Sequence, residues 1–399
     1  MVKFLWQFLM ARRGGASRGV GGLGVFVMFV LLTLGFAAAL PPRGPDLTMD
    51  YSYDQYVADF HKIVPKEAHA RRAATFAANL ETIVAHNAKG ASYVMGVNKF
   101  TDEAPPKGLH RGLRAAAPRR FAASEPVDVA ALPKAVDWRD KGVVSGVKDQ
   151  GGCGSCWAFA STATMESHVA IETGTLFQLS PQELVSCMPN PKECGGTGGC
   201  AGATSELAFQ YYVDNGGVVQ EFQMGYTSYY GKNGDCYIKN TTASKDKGPD
   251  PGGVQHPVAT ISGFEKLPVN EYAPLMHAVA TKGPVAVSVD ASWGGYESGI
   301  FETDTYDSVI DHAVVLVGYG TDEALGKDYW LVRNSWGPTW GEKGYIRLRR
   351  HAADLDAYCG VDTKPLDGVG CAGGPANMTT CGTSGILSDS AYPVGGRLV

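Results

Sequence analysis

The sequence predicts an α+β protein with a helical first part and a sheet-rich second part. Two helical stretches, Cys156 to Glu172 and Ser205 to Asn215, open the main part of this 399-residue chain. After Gly283-Pro284, short apolar and β-branched runs dominate, namely Val285–Val289, Ala313–Tyr319, Tyr329–Val332 and Tyr345–Leu348. Two such parts pack as two lobes, and a cleft between them is the expected place for a functional site.

The composition is that of a folded chain, with 44% hydrophobic and 19% charged residues. A formal net charge of −5, without any basic run, argues against nucleic-acid binding. The charge is uneven, because residues 41–131 carry 12 Lys and Arg against 10 Asp and Glu, whereas residues 132–399 carry 19 against 30. A slightly basic segment ahead of an acidic body favours an intramolecular complex that weakens as carboxylates are protonated.

The amino terminus carries a targeting pattern. Basic residues precede an apolar run from Val20 to Leu40, which ends in three alanines. This is typical of a secretory signal peptide over residues 1–39, cut near Ala39. The run is also long enough to be an uncleaved membrane anchor, and a buried helix would have a similar composition. A signal predicts the secretory pathway, with the lysosome, the vacuole and the extracellular space as destinations.

The cysteines support an oxidising compartment. The chain has nine, all between Cys153 and Cys381, and this odd number indicates four disulfides and one remaining thiol.

The strongest local signal is the segment Gln150-Gly151-Gly152-Cys153-Gly154-Ser155-Cys156-Trp157. Small residues bring the chain tightly onto the start of a helix at Cys156, where helix N–H groups and the helix dipole stabilise a thiolate. The backbone N–H of Cys156 and the side-chain amide of Gln150 would then hold the oxyanion of a tetrahedral intermediate. A structural Cys-x-x-Cys pair is the alternative, and Trp157 argues against it. The chemistry requires no metal and no cofactor.

This segment resembles the papain family of cysteine peptidases, in particular its cathepsin L-like proenzymes. The resemblance implies a downstream histidine and asparagine, found in Asp311-His312-Ala313-Val314 and Asn334-Ser335-Trp336-Gly337. His312 would take the proton of Cys156, and Asn334 would orient the imidazole. The implied fold is papain-like, with a helical lobe and a β-barrel-like lobe. The implied activity is hydrolysis of peptide bonds within proteins through a thioester.

The same resemblance implies which residues bind substrate. They are Gly154, Gly202, Ala203, Ser205, Ser288, Asp311, Trp340 and Asp389. Gly202 and Ala203 would form backbone hydrogen bonds with an extended substrate. Asp389 would lie at the base of the pocket for the second residue before the cut, where a carboxylate would select Arg or Lys. The alternative is that Asp389 turns towards solvent and only ends a strand.

Four disulfides are expected. The family implies Cys153–Cys200 and Cys187–Cys236. Its third disulfide lacks both ends, because no cysteine lies between Gly299 and Asp311 and Ser384 stands where the family has the other cysteine. An insertion at about residues 351–383 brings further cysteines, which allow three pairings with Cys194. Closeness in sequence favours Cys371–Cys381, which leaves Cys194–Cys359.

An inhibitory propeptide is expected ahead of the peptidase domain. Gly96-Val97-Asn98-Lys99-Phe100-Thr101-Asp102 matches a prosegment motif of the family, and a second helical motif comprises Arg72, Phe76, Asn79, Ile83 and Asn87. The resemblance therefore implies a propeptide and linker over residues 40–131 and a peptidase domain over residues 132–399. The expected partners are protein substrates and the chain's own propeptide, in a monomer that meets a membrane only through an uncleaved anchor.

Two rivals remain. A non-catalytic homologue would bind proteins through the same cleft, although all four catalytic positions are intact. An exopeptidase would need a feature that caps the cleft, and no inserted loop contains a His-His pair, so an endopeptidase is favoured. Asn240-Thr241-Thr242 and Asn377-Met378-Thr379 are acceptors for N-glycosylation in a secreted chain.

Overall fold

The computed structural model describes residues 41–103, 127–238, 256–351 and 356–399. The helices in these ranges are α1 (Tyr53–Asp59), α2 (Lys66–Asn87), α3 (Cys156–Thr173), α4 (Pro181–Cys187), α5 (Ser205–Asp214) and α6 (Tyr272–Thr281). None of them is long and apolar enough to cross a bilayer. The predicted signal segment, most of the linker and the acceptor triplet at Asn240 lie outside the described residues.

The strands form one large mixed sheet and two small ones. They are β1 (Tyr93–Met95), β2 (Val136–Asp137), β3 (Ala259–Thr260), β4 (Gly263–Lys266), β5 (Val285–Val289), β6 (Tyr296–Phe301), β7 (His312–Asp322), β8 (Lys327–Arg333), β9 (Tyr345–Arg349), β10 (Cys359–Asp362), β11 (Met378–Cys381), β12 (Ser390–Val394) and β13 (Arg397–Leu398). The large sheet has the order β1-β6-β9-β8-β7-β5-β12-β4, and β2 also pairs with β7. Only the β6–β9 pair is parallel among the described pairs of this sheet.

Strand β7 lies between two hydrophobic cores, because side chains of a strand alternate between its two faces. Val315 and Val317 join the core around α3 and α5. Val314 and Leu316 join the core that contains α6 and β8. The expected arrangement, a helical part and a sheet-rich part around separate cores, is confirmed.

Helix α3 is buried from its first residue to Ala170. It is rich in Ala, Ser and Thr, so it packs closely against β7. Its hydroxyl groups are satisfied within the helix, since Ser161, Thr162 and Thr164 each donate to the carbonyl four residues earlier. The helix ends at Gly174, whose left-handed backbone (φ 73°) stops it.

Four disulfides form, two of them with the expected partners: Cys153–Cys200 and Cys187–Cys236. The expected pairings Cys371–Cys381 and Cys194–Cys359 are wrong. Strands β10 and β11 pair with Cys359 directly opposite Cys381, and these two are bonded. Cys371 instead bonds to Cys194, 177 residues away in sequence. Strand register therefore decides the pairing, and closeness in sequence does not.

Ser384, which stands where the family has a cysteine of its third disulfide, forms a side-chain hydrogen bond. Ser384 accepts the indole N–H of Trp293 at 3.0 Å, with both side chains buried. This contact fastens the segment before β12 to the loop before β6.

Residues 41–103 form a small helical domain with a core of its own. Its buried members are Leu47, Tyr51, Tyr56, Phe76, Leu80 and Ile83. The core is small, so polar contacts at its end carry part of the stability. The central one is Asp102, which is fully buried and bonds to Lys62, Arg72, Tyr53 and Tyr56.

This domain docks on the rest of the chain by adding a strand to its sheet. Strand β1 runs antiparallel to β6, with Tyr93 opposite Gly299. The backbone at Gly299 (φ 95°) comes so close to Ser92 that a Cβ would lie 2.5 Å from its carbonyl oxygen, so only glycine fits. The docking continues beyond the strand, where Asn98 donates to the carbonyl of Gly294 at 2.6 Å.

We predict that Asp102→Asn loosens the small domain selectively. The substitution removes a buried negative charge and leaves Lys62 and Arg72 paired only with the partly exposed Glu103, a loss at the lower end of the roughly 3–5 kcal/mol of a broken buried ion pair. Amide hydrogen exchange should accelerate in α1 and α2 and stay unchanged in α3. The matched control is Asp54→Asn, because the Asp54 side chain is 91% exposed. Equal protection of α2 in both variants would contradict this role of Asp102.

Candidate active site

The nucleophile candidate opens a helix. Cys156 is the first residue of α3 and is 3% exposed, and it stays a thiol while the other eight cysteines form disulfides. The loop before it is fastened on both sides by Tyr226, which donates to the carbonyl of Gln150 at 2.8 Å and bonds to Ser155 Oγ at 2.7 Å. The thiol is thereby fixed at the positive end of an 18-residue helix, where a thiolate is stabilised.

The candidate general base is the first residue of the strand that faces α3. His312 is the first residue of β7 and is 2% exposed. Its Nε2 lies 2.8 Å from Oδ1 of Asn334, which comes directly after β8. Since the amide oxygen only accepts, the imidazole Nε2 carries the proton and Nδ1 is left for the thiol. The neighbouring Ala313 shares a buried cluster with Cys156, so helix and strand meet where the two residues lie.

The asparagine is itself held in one orientation. Its Oδ1 also accepts the backbone N–H of Ser335 at 2.7 Å. The ring of Trp336 covers the imidazole of His312, with 4.9 Å between ring centroids. Because the indole excludes water, the hydrogen bond between His312 and Asn334 is strengthened by a low local dielectric.

The candidate donor to the oxyanion, Gln150, is hydrogen-bonded to the turn that follows Asn334. Gln150 is fully buried, and its Oε1 accepts the hydroxyl of Ser335 at 2.7 Å. Its Nε2 donates to the carbonyl of Cys153 at 2.9 Å. An amide nitrogen has two hydrogens, so one remains for an oxyanion above Cys156.

The propeptide reaches this site through an aromatic contact. The ring of Phe100 packs edge-on against Trp336 at 5.3 Å, and Lys99 forms an ion pair with Asp149 in the loop that leads to Gln150. The segment after β1 therefore lies directly beside the catalytic candidates.

Several predicted substrate residues lie on elements next to the catalytic candidates. Ala203 belongs to the buried cluster of Cys156, and Gly154 forms a bridge with Ala201. Ser205 begins α5, Ser288 lies opposite Ala313 in the β5–β7 pair, and Trp340 packs on Trp336 at 5.1 Å. Gly202 adopts a left-handed backbone (φ 94°), and Ala203 has a negative φ, so its methyl group is accommodated without strain. The Asp311 side chain is engaged internally, because Oδ1 accepts the N–H of Ala291 at 3.2 Å.

Asp389 does not turn towards solvent. It is buried, and Oδ2 accepts the hydroxyl of Ser288 at 2.8 Å. Its Oδ1 pairs with Lys266 Nζ at 2.6 Å, and the same ammonium pairs with Glu206. The sequence did not reveal this cation, which comes from β4 beside β12. Asp389 is therefore one of two carboxylates that share a lysine.

The two carboxyl groups of this triad have opposite pKa shifts. Asp389 has the less exposed side chain, 7% against 17% for Glu206. Burial and the charge of Glu206 together raise the pKa of Asp389 to about 6. Burial opposes ionisation at Glu206 too, but the Lys266 ammonium lowers the pKa of Glu206 to about 2.

Comparisons with known proteins agree with this geometry. Residues 132–369 match the model of the papain family of cysteine proteases, and residues 53–105 match the cathepsin propeptide inhibitor domain. Oryzain beta chain of Oryza sativa subsp. japonica is 41% identical over 305 residues, covering 73% of this chain and 60% of that protein. Cathepsin L of Sarcophaga peregrina is 38% identical over 306 residues, covering 72% and 83%.

The fold agrees as well. The structure of digestive procathepsin L 3 from the larval midgut of Tenebrio molitor superposes with a TM-score of 0.64 at 28% identity, covering 87% of this chain and 99% of that one. The chain belongs to the papain family of cysteine proteases. It carries the family's cathepsin-type propeptide inhibitor domain, so the expected cathepsin L-like proenzyme and papain-like fold are confirmed. The chain spans 60% of the length of oryzain beta chain.

Proposed function

We propose that the protein is a cysteine endopeptidase of the secretory pathway, made as an autoinhibited proenzyme and active on peptide bonds within protein substrates. The observation that carries the proposal is the 2.8 Å hydrogen bond from His312 to Asn334 beside the single remaining thiol. Four disulfides support an oxidising compartment such as a lysosome, a vacuole or the extracellular space. Asn377 is exposed, as a glycosylation acceptor requires.

The reaction follows from the contacts of four residues. His312 takes the proton of Cys156, and the thiolate attacks the carbonyl carbon of the scissile bond. The N–H of Cys156 and the second Nε2 hydrogen of Gln150 hold the oxyanion, and each such donor is worth roughly 10²–10³ in rate. His312 then protonates the leaving amine and later activates the water that hydrolyses the thioester. Asn334 keeps the imidazole in the required tautomer throughout.

The propeptide inhibits because it is folded against this site. Its β1 strand pairs with β6, Asn98 binds Gly294 just before β6, and Phe100 packs on Trp336. Acid would weaken the complex, because residues 132–399 carry 30 Asp and Glu against 19 Lys and Arg and lose negative charge as the pH falls, whereas the propeptide segment is slightly basic. The Lys99–Asp149 ion pair is one contact between the two parts. Conversion to the active enzyme should therefore occur in a mildly acidic compartment.

We predict that Cys156→Ala abolishes turnover and leaves a full-length proenzyme. The purified proteins are incubated at near-neutral and mildly acidic pH, and their masses are followed over time. Wild type should lose its propeptide faster in acid, whereas the variant stays intact at both pH values. Rates on a peptide substrate should fall by at least about a thousandfold. A variant that keeps more activity, or equally fast conversion of wild type at neutral pH, would contradict the proposal.

The floor of the pocket for the second residue before the cut carries two carboxyl groups and one ammonium group. Above a pH of about 6, Glu206 and Asp389 are both ionised against one Lys266, so the net charge is one negative. Below that pH, Asp389 takes up a proton and the net charge falls to zero. We infer that a basic substrate side chain is favoured at the higher pH, in competition with Lys266.

We predict that selectivity for Arg over Leu at this position rises from pH 5 to pH 7. The ratio of kcat/KM values should rise about three- to tenfold, less than a full charge-assisted hydrogen bond supplies, because Lys266 already engages the carboxylate. Asp389→Asn should make the ratio independent of pH, while Ser205→Ala keeps the wild-type slope. A flat wild-type ratio, or an unchanged slope in Asp389→Asn, would show that Asp389 is not the selector.

A further inference from the structure

The insertion in the peptidase domain forms a bridge between the two lobes. The bridge consists of Pro365–Cys371, here called the strap. It leaves β10 on the sheet-rich side and reaches Cys194 on the helical side. Within it, the N–H of Gly370 donates to the carbonyl of Pro365 at 2.6 Å, so the strap is a compact turn.

On the sheet-rich side, the strap is fixed to Ile310. Asp362, fully buried at the end of β10, accepts the N–H of Ile310 at 3.2 Å and the N–H of Lys364 at 2.6 Å. The backbone of Gly368 then packs against Ile310 itself, where an added Cβ would lie 1.9 Å from the carbonyl oxygen. The strap therefore touches the chain two residues before His312.

On the helical side, the strap is fixed covalently and by backbone contacts. Cys371 bonds to Cys194, and the N–H of Gly195 donates to the carbonyl of Gly370 at 2.9 Å. A Cβ on Gly195 (φ 64°) would lie 2.4 Å from the carbonyl oxygen of Gly368 and 2.9 Å from that of Ala203. The strap therefore contacts the backbone of Gly195, and Gly195 in turn contacts the backbone of Ala203.

These two anchors lie on opposite walls of the cleft. Ala203 is expected to bind the backbone of an extended substrate, and it lies three residues before Glu206 of the acidic pocket for the second residue before the cut. Ile310 adjoins Asp311 and His312 on the other wall. A segment that contacts both walls closes the cleft on the amino-terminal side of the substrate. A substrate that extends further in that direction would have to pass over or displace the strap.

We propose that the strap ends the amino-terminal side of the cleft at about the second residue before the scissile bond, and that the Cys194–Cys371 disulfide holds it there. The inference rests on the proposed peptidase function and adds a restriction to it. Among the bonds of a protein substrate, the enzyme cuts best near an amino terminus or where the substrate chain bends away before the second residue. The substrate's carboxyl-terminal side then carries a larger share of recognition.

The test compares two fluorogenic amides with acid-converted enzyme. One has only Leu-Arg before the cleaved bond, and the other has the same two residues preceded by four more. In wild type we expect kcat/KM to be at least about tenfold higher for the short substrate, a difference of about 1.4 kcal/mol. Reductant is kept low, and mass analysis after alkylation confirms that all four disulfides are intact.

Release of the strap should remove the difference. In the Cys194→Ser/Cys371→Ser double variant, the ratio of short to long substrate should fall to about two or less. The matched control is Cys359→Ser/Cys381→Ser, which removes the other disulfide of the insertion and leaves both anchors of the strap. Its ratio should stay near that of wild type.

Three results would overturn the inference. The first is a long substrate cut as well as the short one by wild type, a measurement that needs no variant to fold. The second is an unchanged ratio in the Cys194→Ser/Cys371→Ser variant, and the third is an equal loss in the control. Failure to cut either substrate would instead overturn the proposed peptidase function on which the inference rests.

Discussion

The structure depends on the contact between α3 and β7, where the two hydrophobic cores meet. The nucleophile candidate is the first residue of the helix, and His312 is the first residue of the strand. Polar residues that orient them also meet at this contact, since the hydroxyl of Ser335 donates to Oε1 of Gln150 at 2.7 Å. Gln150 precedes the helix and Ser335 follows β8, so this buried hydrogen bond joins the two lobes and fixes the catalytic geometry at the same time.

The propeptide and the strap both contact residues beside the α3–β7 junction, from different sides. Phe100 packs on Trp336, which covers His312, and the strap contacts Ile310 just before it. One is a folded domain with a small core that docks on an acidic peptidase domain, and this attraction weakens in acid. The other is held by a disulfide, which acid does not release. Acid therefore relieves the inhibition, whereas the limit on the substrate's amino-terminal side persists in the active enzyme.

Sequence predicted the features that depend on neighbouring residues. The Gly-rich turn before Cys156, the helices and the strand patterns are local, and their positions follow from periodicity and turn chemistry. The features it missed depend on residues that are distant in the chain. Lys266 meets Asp389 only because β4 pairs with β12, and Cys194 meets Cys371 across 177 residues. Neither register nor loop closure is encoded in local spacing, which is why pairing by closeness failed.

The central claim is that Cys156 is the reactive thiol of a site that the propeptide covers. The most direct measurement is labelling with an epoxide inhibitor of thiol peptidases, followed by peptide mapping of the intact proenzyme and of the acid-converted enzyme. The account predicts one adduct, on Cys156, in the converted enzyme, and little or none in the proenzyme at neutral pH. An adduct on another residue, no adduct after conversion, or equal labelling of both forms would contradict it.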